Sequence, residues 1–342
     1  MASRTGSAGP AAGLALRPLR PADAEALFEL VRLGRSVDGV AEPFTFDELY
    51  HHWFDHPGSN PELDSTGAFT ADDVLVGFAW VFARDPASEV ARVYMAGEVR
   101  PDHRRERLGT LLLQRGEARA RVVLANQGSA LAGEIYVDSP ADSQGRAALF
   151  TGAGYGATRT FATMRRSLAE PPTPAELATD PPGFMFETWT AGLDGETRAA
   201  HNDAFRDHWG SDPVSLERWE HVVRGAPGFA PAASWLALDG DTVAGYALTT
   251  LTTDQAGRRL GWLGTIGVRR GYRRRGLASA LIARSLAAFR EAGVVEAGLD
   301  VDLENPSGAP RVYGALGFRE TRRSTIYVKT ITADRAPRQI RA

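Results

Sequence analysis

A run of glycines and arginines in the second half of the chain has residue types and spacing suited to binding a phosphate group. It reads Gly267-Val268-Arg269-Arg270-Gly271-Tyr272-Arg273-Arg274-Arg275-Gly276-Leu277-Ala278. An apolar run from Trp262 to Val268 precedes it, and an Ala/Leu-rich segment with helical periodicity follows it. The free N–H groups and the dipole at such a helix start attract anions, and Gly276 lets the backbone approach a ligand closely. The pattern therefore predicts an anion cradle between a strand and a helix.

A second segment further along the chain supplies a group that can donate a proton. It reads Val301-Asp302-Leu303-Glu304-Asn305-Pro306-Ser307-Gly308-Ala309-Pro310-Arg311-Val312-Tyr313-Gly314-Ala315-Leu316-Gly317-Phe318. We expect a strand end, an Asn-Pro turn, a short helix from about Ser307 to Leu316, and Gly317 as its terminator. The phenol of Tyr313 would lie on that helix.

The two segments, in this order, resemble the pyrophosphate loop and the Asn…Tyr…Gly-Phe segment of the GCN5-related N-acetyltransferases (GNAT). The resemblance rests on the spacing Arg273-x-x-Gly276-x-Ala278 and on Asn305, Tyr313 and Gly317-Phe318. It implies acetyl-CoA as the cosubstrate, with Tyr313 as the general acid for the departing thiolate. The residues expected to bind the cosubstrate are Ile266, Gly267, Val268, Arg273, Arg274, Arg275, Gly276, Leu277, Ala278, Asn305 and Ser307.

Within that set, two main-chain amides have a specific expected task. Those of Ile266 and Val268 would polarise the thioester carbonyl, since negative charge builds on its oxygen during attack. We expect a bulge at Gly267 to free these amides from the strand ladder.

The sequence leaves the general base open. No carboxylate lies on the strand before the arginine loop, at Trp262 to Gly267. Asp302 and Glu304 lie on one face of the next strand at a period of two. His208 is a further candidate, because a neutral imidazole suits neutral pH.

Composition excludes several other classes of protein. The chain has 342 residues, a formal net charge of −3, 24% charged residues and no cysteine. These values exclude disulfides, thiolate metal sites and a cysteine nucleophile, and they offer no basic field for nucleic acid. No apolar run approaches the length of a membrane span. We expect a cytoplasmic monomer or homodimer without a metal, nucleic-acid or membrane partner.

The chain contains one unit twice, with corresponding elements roughly 163 to 170 residues apart. First strands, hairpins, arginine loops and final helices all correspond, and five prolines lie between the halves, from 171 to 182. We predict a degenerate N-terminal domain at 14–168, a linker at 169–183 and a catalytic C-terminal domain at 184–331. The fold class is α/β (α+β): two tandem GNAT domains, each with a mixed, mostly antiparallel sheet flanked by helices.

The first half has not kept the residues that the reaction needs. Arg107 stands where the second half has Gly276, and Phe150 stands where it has Tyr313. A side chain at the closest approach to a pyrophosphate is an obstacle, and phenylalanine has no proton to give. The tandem plan and the segment Asp207-His208-Trp209-Gly210 resemble the mycothiol synthase group of tandem acetyltransferases.

The resemblance implies an acetyl-CoA-dependent N-acetyltransferase that acts on the amine of a small molecule by direct attack in a ternary complex. Two alternatives stay open: a protein or peptide N-acetyltransferase, and a noncatalytic acyl-CoA-binding regulatory module.

Overall fold

Contacts within the chain divide it into two compact units. The computed structural model describes residues 13–40, 44–83, 90–127, 133–254, 256–305 and 307–331. The first unit comprises the described residues of Met1–Glu42, His52–Thr158 and Ile326–Ala342, and the second those of Pro43–His51 and Arg159–Thr325. Each unit therefore contains segments from both halves of the sequence.

The first unit is a mixed sheet with flanking helices. Its strands are β1 (Ala15–Arg17), β2 (Ser65–Phe69), β3 (Leu75–Ala83), β4 (Ala91–Val99) and β5 (Gly133–Pro140). Its helices are α1 (Ala24–Val37), α3 (Pro61–Asp64), α4 (Leu108–Asn126) and α5 (Gln144–Gly152), and α2 (Phe46–Trp53) crosses the boundary between the units at His51. Neighbouring strands are antiparallel except for β4 and β5, which are parallel.

The second unit repeats this plan. Its strands are β6 (Gly156–Ser167, from Arg159 onward), β7 (Met185–Thr188), β8 (Trp235–Asp239), β9 (Thr242–Thr253), β10 (Arg259–Val268), β11 (Glu296–Asp302) and β12 (Arg319–Ile331, up to Thr325). Its helices are α6 (Asp194–Ala204), α7 (Leu216–Trp219), α8 (Leu277–Glu291) and α9 (Ala309–Ala315). Again only one described pair, β10 with β11, is parallel. The predicted fold class, a mixed and mostly antiparallel sheet flanked by helices, is confirmed.

Two apolar clusters hold the second sheet between helices. Ile282, Leu286 and Phe289 of α8 pack against residues of β11 such as Leu299, and all of these side chains are buried. A separate cluster joins Ala200 of α6 and Trp219 of α7 to β8 and β9. Burying such side chains contributes roughly 1.5–3 kcal/mol each, so α6, α7 and α8 are held firmly against the strands that carry the candidate site.

Residues 168–184 contain neither helix nor strand, as the five prolines predict. This segment belongs to the second unit and is tied to the rest of it, because the buried carboxylate of Glu176 pairs with Arg166 and with Arg290. The exact domain boundaries stay a prediction. Within the described part of the chain, no helix is both long and apolar enough to cross a membrane.

Candidate active site

The arginine loop has the strand–turn–helix form that the sequence predicts. β10 ends at Val268, a 3-10 turn covers Arg270–Tyr272, and α8 begins at Leu277. Arg274 and Gly276 have positive φ angles of 60° and 83°. Gly276 is the N-cap of α8, and as a glycine it has no side chain that could accept a hydrogen bond from the first-turn amides. The first-turn amides of α8 are thus left for a ligand.

The arginines of the loop have two different environments: Arg273 is hydrogen-bonded to the main chain, whereas Arg274 and Arg275 are exposed. Arg273 donates from Nε to the Val268 carbonyl at 3.3 Å and from Nη2 to the Ala204 carbonyl at 2.7 Å. It therefore shapes the loop through its own side chain. Arg274 and Arg275 are exposed, where their charge can meet phosphate oxygens. Leu277 is buried, Ala278 is partly buried, and a Cβ at position 276 would meet only Pro181, at 3.4 Å.

β10 separates from β11 just before the loop. The two strands pair only at Leu260, Gly261 and Trp262. The register of β10 against β9 then shifts between Leu263 and Thr265, so the bulge lies at Gly264. The predicted bulge at Gly267 is wrong, because Gly267 pairs regularly with Tyr246. What Gly267 provides is room: a Cβ there would lie 2.6 Å from the Tyr246 hydroxyl.

The amides nominated on β10 point away from β9. The N–H of Arg269 donates to the Ala244 carbonyl at 2.9 Å. Since successive strand amides point to alternate sides, those of Val268 and Ile266 point to the side on which β11 has separated. A carbonyl oxygen entering that gap would meet two donors.

Tyr313 lies on α9, which runs from Ala309 to Ala315 and is followed by Gly317 at a φ of 82°. Its ring is partly buried and lies 6.3 Å from the ring of Phe318. Burial raises the pKa of Tyr313 to about 12. The phenol is therefore protonated at neutral pH, as a proton donor must be.

Asn305 forms an Asx turn ahead of this helix. Its Oδ1 accepts the Ser307 amide at 2.9 Å, so the side chain orders the entry to α9. Ser307 itself is exposed. Pro306 lies outside the described residues.

The two acidic base candidates share one cation. Arg159 lies 3.3 Å from Asp302 Oδ2 and 3.0 Å from Glu304 Oε2. The Asp302 side chain is only 1% exposed, whereas that of Glu304 is 49% exposed. Both carboxylates therefore already have a cationic partner, and a substrate amine would have to compete with Arg159 for either of them.

His208 has the tautomer that a base requires. Its Nδ1 lies 3.0 Å from the Trp209 carbonyl oxygen. A carbonyl only accepts hydrogen bonds, so Nδ1 carries the proton and the neutral ring keeps its lone pair on Nε2.

The sequence reading missed a neighbouring pair, His201 and Tyr246. The His201 Nδ1 lies 2.7 Å from the hydroxyl of the fully buried Tyr246. Burial, with a smaller effect of His208, lowers the pKa of His201 to about 4. Tyr313 contributes to raising the Tyr246 pKa, so these groups lie near one another. The only signal in the sequence was a histidine on the inner face of α6, which is usually a core residue.

The first unit carries a loop of the same backbone form. Arg105 and Arg107 have φ angles of 68° and 66°, matching Arg274 and Gly276, and Arg104 donates to the Val99 carbonyl at 3.1 Å as Arg273 does to Val268. β4 likewise pairs with β5 only up to Tyr94.

An arginine crosses the gap that follows in the first unit. Arg146 of α5 donates to the Gly97 carbonyl at 3.3 Å and also to the carboxylates of Glu98 and Asp38. Phe150, which takes the place of Tyr313, is buried.

Among the described residues, no group of three histidine or acidic side chains is placed to hold a metal ion.

Comparisons with known proteins agree with this geometry. The profile of the acetyltransferase (GNAT) family matches residues 196–318. A mycothiol acetyltransferase of Segniliparus rotundus is 30% identical over 269 residues, covering 78% of this chain and 96% of the relative. A solved GCN5-related N-acetyltransferase from Sphaerobacter thermophilus is 28% identical, with a TM-score of 0.74 over 93% of this chain and 95% of that one. A tandem GNAT protein from the clavulanic acid biosynthesis pathway shares the fold, at 18% identity and a TM-score of 0.70 over 93% of this chain and 98% of its own.

The chain belongs to the acetyltransferase (GNAT) family, in its tandem two-domain form resembling the mycothiol acetyltransferases. It is an enzyme, an acyltransferase of the N-acetyltransferase class, and its fold is one that binds acyl-CoA.

Proposed function

We propose that this enzyme transfers an acetyl group from acetyl-CoA to the amine of a small molecule, by direct attack in a ternary complex, and that the second unit carries the reaction. The observation that carries the proposal is the opening between β10 and β11, with free amides on one side and Tyr313 near it. The name of the Segniliparus rotundus relative, mycothiol acetyltransferase, supports a small-molecule acceptor.

In the proposed site, the pyrophosphate binds the first-turn amides of α8, with Arg274 and Arg275 as cations. Leu277 and Ala278 lie in that first turn, and Ile266, Gly267 and Val268 form the end of β10 beside the opening. Arg273 acts through the loop that it braces, and Asn305 and Ser307 act through the turn that leads to Tyr313.

The chemistry then needs one bond to form and one to break. The neutral amine attacks the thioester carbonyl carbon, and the amides of Ile266 and Val268 stabilise the charge on its oxygen. The C–S bond breaks, the sulfur takes the phenolic proton of Tyr313 and leaves as the free CoA thiol, and the Tyr313 oxygen regains a proton from solvent. We assign the amine proton to His208 Nε2, ahead of Asp302 and Glu304, which are already bound to Arg159.

The first unit is proposed to be catalytically silent. Arg146 joins α5 to the end of β4 at the position in the first unit that corresponds to the β10–β11 opening of the second unit. Phe150 stands where the second unit has Tyr313. A thioester in that gap would have to displace an arginine held by two carboxylates, which is costly for a partly buried network.

Release of free CoA thiol from acetyl-CoA, measured with a panel of small amines, tests the proposal. Tyr313→Phe should lower kcat by about 100-fold while acetyl-CoA still binds, because a positioned acid typically contributes 10²–10⁴. Tyr155→Phe, at a buried tyrosine of the first unit, is the matched control and should leave kcat unchanged. Saturable binding of acetyl-CoA without turnover of any small amine would reject this function; peptide acetylation alone would favour the protein-acetylating alternative.

A further inference from the structure

A strand from the first half of the sequence completes the sheet of the second unit. β6 pairs with β11 in antiparallel register from Ser167 opposite Glu296 to Phe161 opposite Asp302. The Leu303 amide continues the pairing by donating to the Thr160 carbonyl at 3.0 Å. Arg159 follows directly, and so it lies opposite the turn that joins β11 to α9.

The guanidinium of Arg159 contacts three side chains of the second unit. It makes ion pairs with Asp302 at 3.3 Å and Glu304 at 3.0 Å. Its central carbon also lies 5.4 Å from the centre of the Trp209 ring, within cation–π range. The adjacent Thr160 amide donates to the other carboxylate oxygen of Glu304 at 3.2 Å.

These contacts join the two segments that carry the proposed acid and base. The turn at Asp302–Glu304 leads through Asn305 into α9 and Tyr313, and the Asp302 carboxylate accepts the Glu304 amide at 2.9 Å. Trp209 follows His208 and accepts the hydrogen bond that sets the His208 tautomer. The Arg159 side chain therefore links the turn before α9, the helix that carries Tyr313, to Trp209, the residue next to His208.

We propose that Arg159 is a positioning residue, supplied by the first half of the chain, that sets the spacing between His208 and Tyr313 at the acceptor end of the site. This inference rests on the proposed function for the roles of those two residues. It also gives the silent first half a part in catalysis, because that half carries the strand that holds Arg159.

The planar guanidinium group, with several N–H donors, is what allows Arg159 to contact Asp302, Glu304 and Trp209 at once. A lysine could neutralise the buried Asp302, but its single ammonium group cannot also reach Glu304 and lie against Trp209 with the same geometry. Removing the charge altogether would leave the Asp302 carboxylate buried without its cation, which destabilises the fold strongly. Arg159→Lys is for this reason the informative single substitution.

Arg165→Lys is a matched control on the same strand. Arg165 pairs with Glu296 at the opposite end of the β6–β11 pairing and is 16% exposed, against 20% for Arg159. Both substitutions thus weaken arginine–carboxylate pairing between β6 and the β11 segment, with one carboxylate for Arg165 and two for Arg159.

The experiment measures kcat, KM for the acceptor and the dissociation constant for acetyl-CoA in full-length wild type and both variants. We expect Arg159→Lys to lower kcat/KM for the acceptor by about 10–100-fold, since misplacement of about 1 Å costs up to that factor. The acetyl-CoA dissociation constant should change less than about 2-fold, because Arg159 contacts no residue of the loop at 269–278. Arg165→Lys should change neither value. Equal effects of the two variants, or a parallel loss of acetyl-CoA affinity, would overturn the inference.

Hydrogen exchange supplies a readout that does not depend on turnover. In Arg159→Lys, amides in both 206–214 and 302–313 should exchange faster, and in Arg165→Lys neither segment should change. If wild type acetylates no amine, the proposed function fails while this measurement still tests the spacing role. Unchanged exchange in both segments, or faster exchange with unaltered kcat/KM, would contradict the role assigned to Arg159. Trp209→Leu, which removes the cation–π contact and leaves the ion pairs of Arg159 in place, should reproduce the loss if Arg159→Lys folds poorly.

Discussion

Burial sets the protonation state of the groups around the end of β10. Burial lowers the pKa of His201 to about 4 and raises the pKa of Tyr313 to about 12. Both side chains are therefore uncharged at neutral pH, and burial raises the pKa of Tyr246, the hydrogen-bond partner of His201, so that it stays protonated as well. In the proposed mechanism, uncharged side chains at this point leave the developing oxyanion as the charge that the amides of Ile266 and Val268 would stabilise.

The pKa of His201 predicts a pH-dependent stability. Between its folded pKa of about 4 and an unfolded value near 6.5, the unfolded chain binds more protons, so acidification favours unfolding. The contribution of His201 to the free energy of unfolding that is lost on acidification is roughly 3 kcal/mol, at about 1.4 kcal/mol for each pKa unit. His201→Gln keeps a partner for Tyr246 without titrating, and should remove this contribution from urea-unfolding free energies measured between pH 7 and pH 4. The control is His103→Gln on the first unit, and an unchanged slope in His201→Gln would contradict the prediction.

At the scale of elements, the two arginine loops show one backbone form with two different residues at its tightest point. Arg107 holds a φ of 66° where Gly276 holds 83°. A non-glycine residue in this region costs roughly 1–2 kcal/mol, which the first unit tolerates. Glycine at position 276 is therefore not needed for folding alone, and close approach of a ligand explains it better.

Exchanging these residues separates folding from ligand binding. Gly276→Arg should fold, because arginine already adopts this conformation at 107, yet weaken acetyl-CoA binding by at least about 100-fold, or roughly 3 kcal/mol. Arg107→Gly should leave turnover unchanged. Calorimetric titration with acetyl-CoA, together with thiol release, measures both. Equal losses in the two variants would reject the one-site arrangement.

For the whole molecule, each compact unit is completed by the other half of the sequence. Ala162 and Met164 of β6 are buried in the same cluster as Val301 and Phe318 of the second unit. Tyr327, near the end of the chain, packs with Phe150 in the first unit. Cutting the chain at its proline-rich segment would therefore remove core residues from both units.

A fragment spanning 184–331 should for this reason fail to fold. It lacks β6, so the β11 edge and the apolar side chains beneath it would be exposed to water. A fragment spanning 156–331 restores β6 and should show stronger tertiary signals in near-ultraviolet circular dichroism. Cooperative unfolding of the 184–331 fragment, with full acetyl-CoA affinity, would contradict this prediction.

Local patterns in the chain were sufficient for a large part of the architecture. The apolar run before Val268, the glycine at 276 and the Ala/Leu segment after it predict a strand, a turn and a helix because each depends on neighbours in sequence. The fold class and the family resemblance are confirmed on this basis. The roles of Tyr313, His208, Asp302 and Glu304 stay predictions.

The bulge illustrates the limit of local reasoning. A glycine lies at both 264 and 267, so either position could accommodate a bulge. Only the neighbouring strand, where Tyr246 pairs with Gly267 and packs its ring against it, shows that position 267 stays in register.

The sequence by itself was enough to predict the repeated plan, the strand–turn–helix form of the arginine loop and the helix of Tyr313, since these depend on short-range geometry and on single residue types. Only the tertiary structure decided that β6 lies in the second unit, that Arg159 meets Asp302, Glu304 and Trp209, and that His201 binds Tyr246. The physical reason is that such pairings join residues more than 40 positions apart. Packing, burial and charge compensation select them, and no local pattern records that choice.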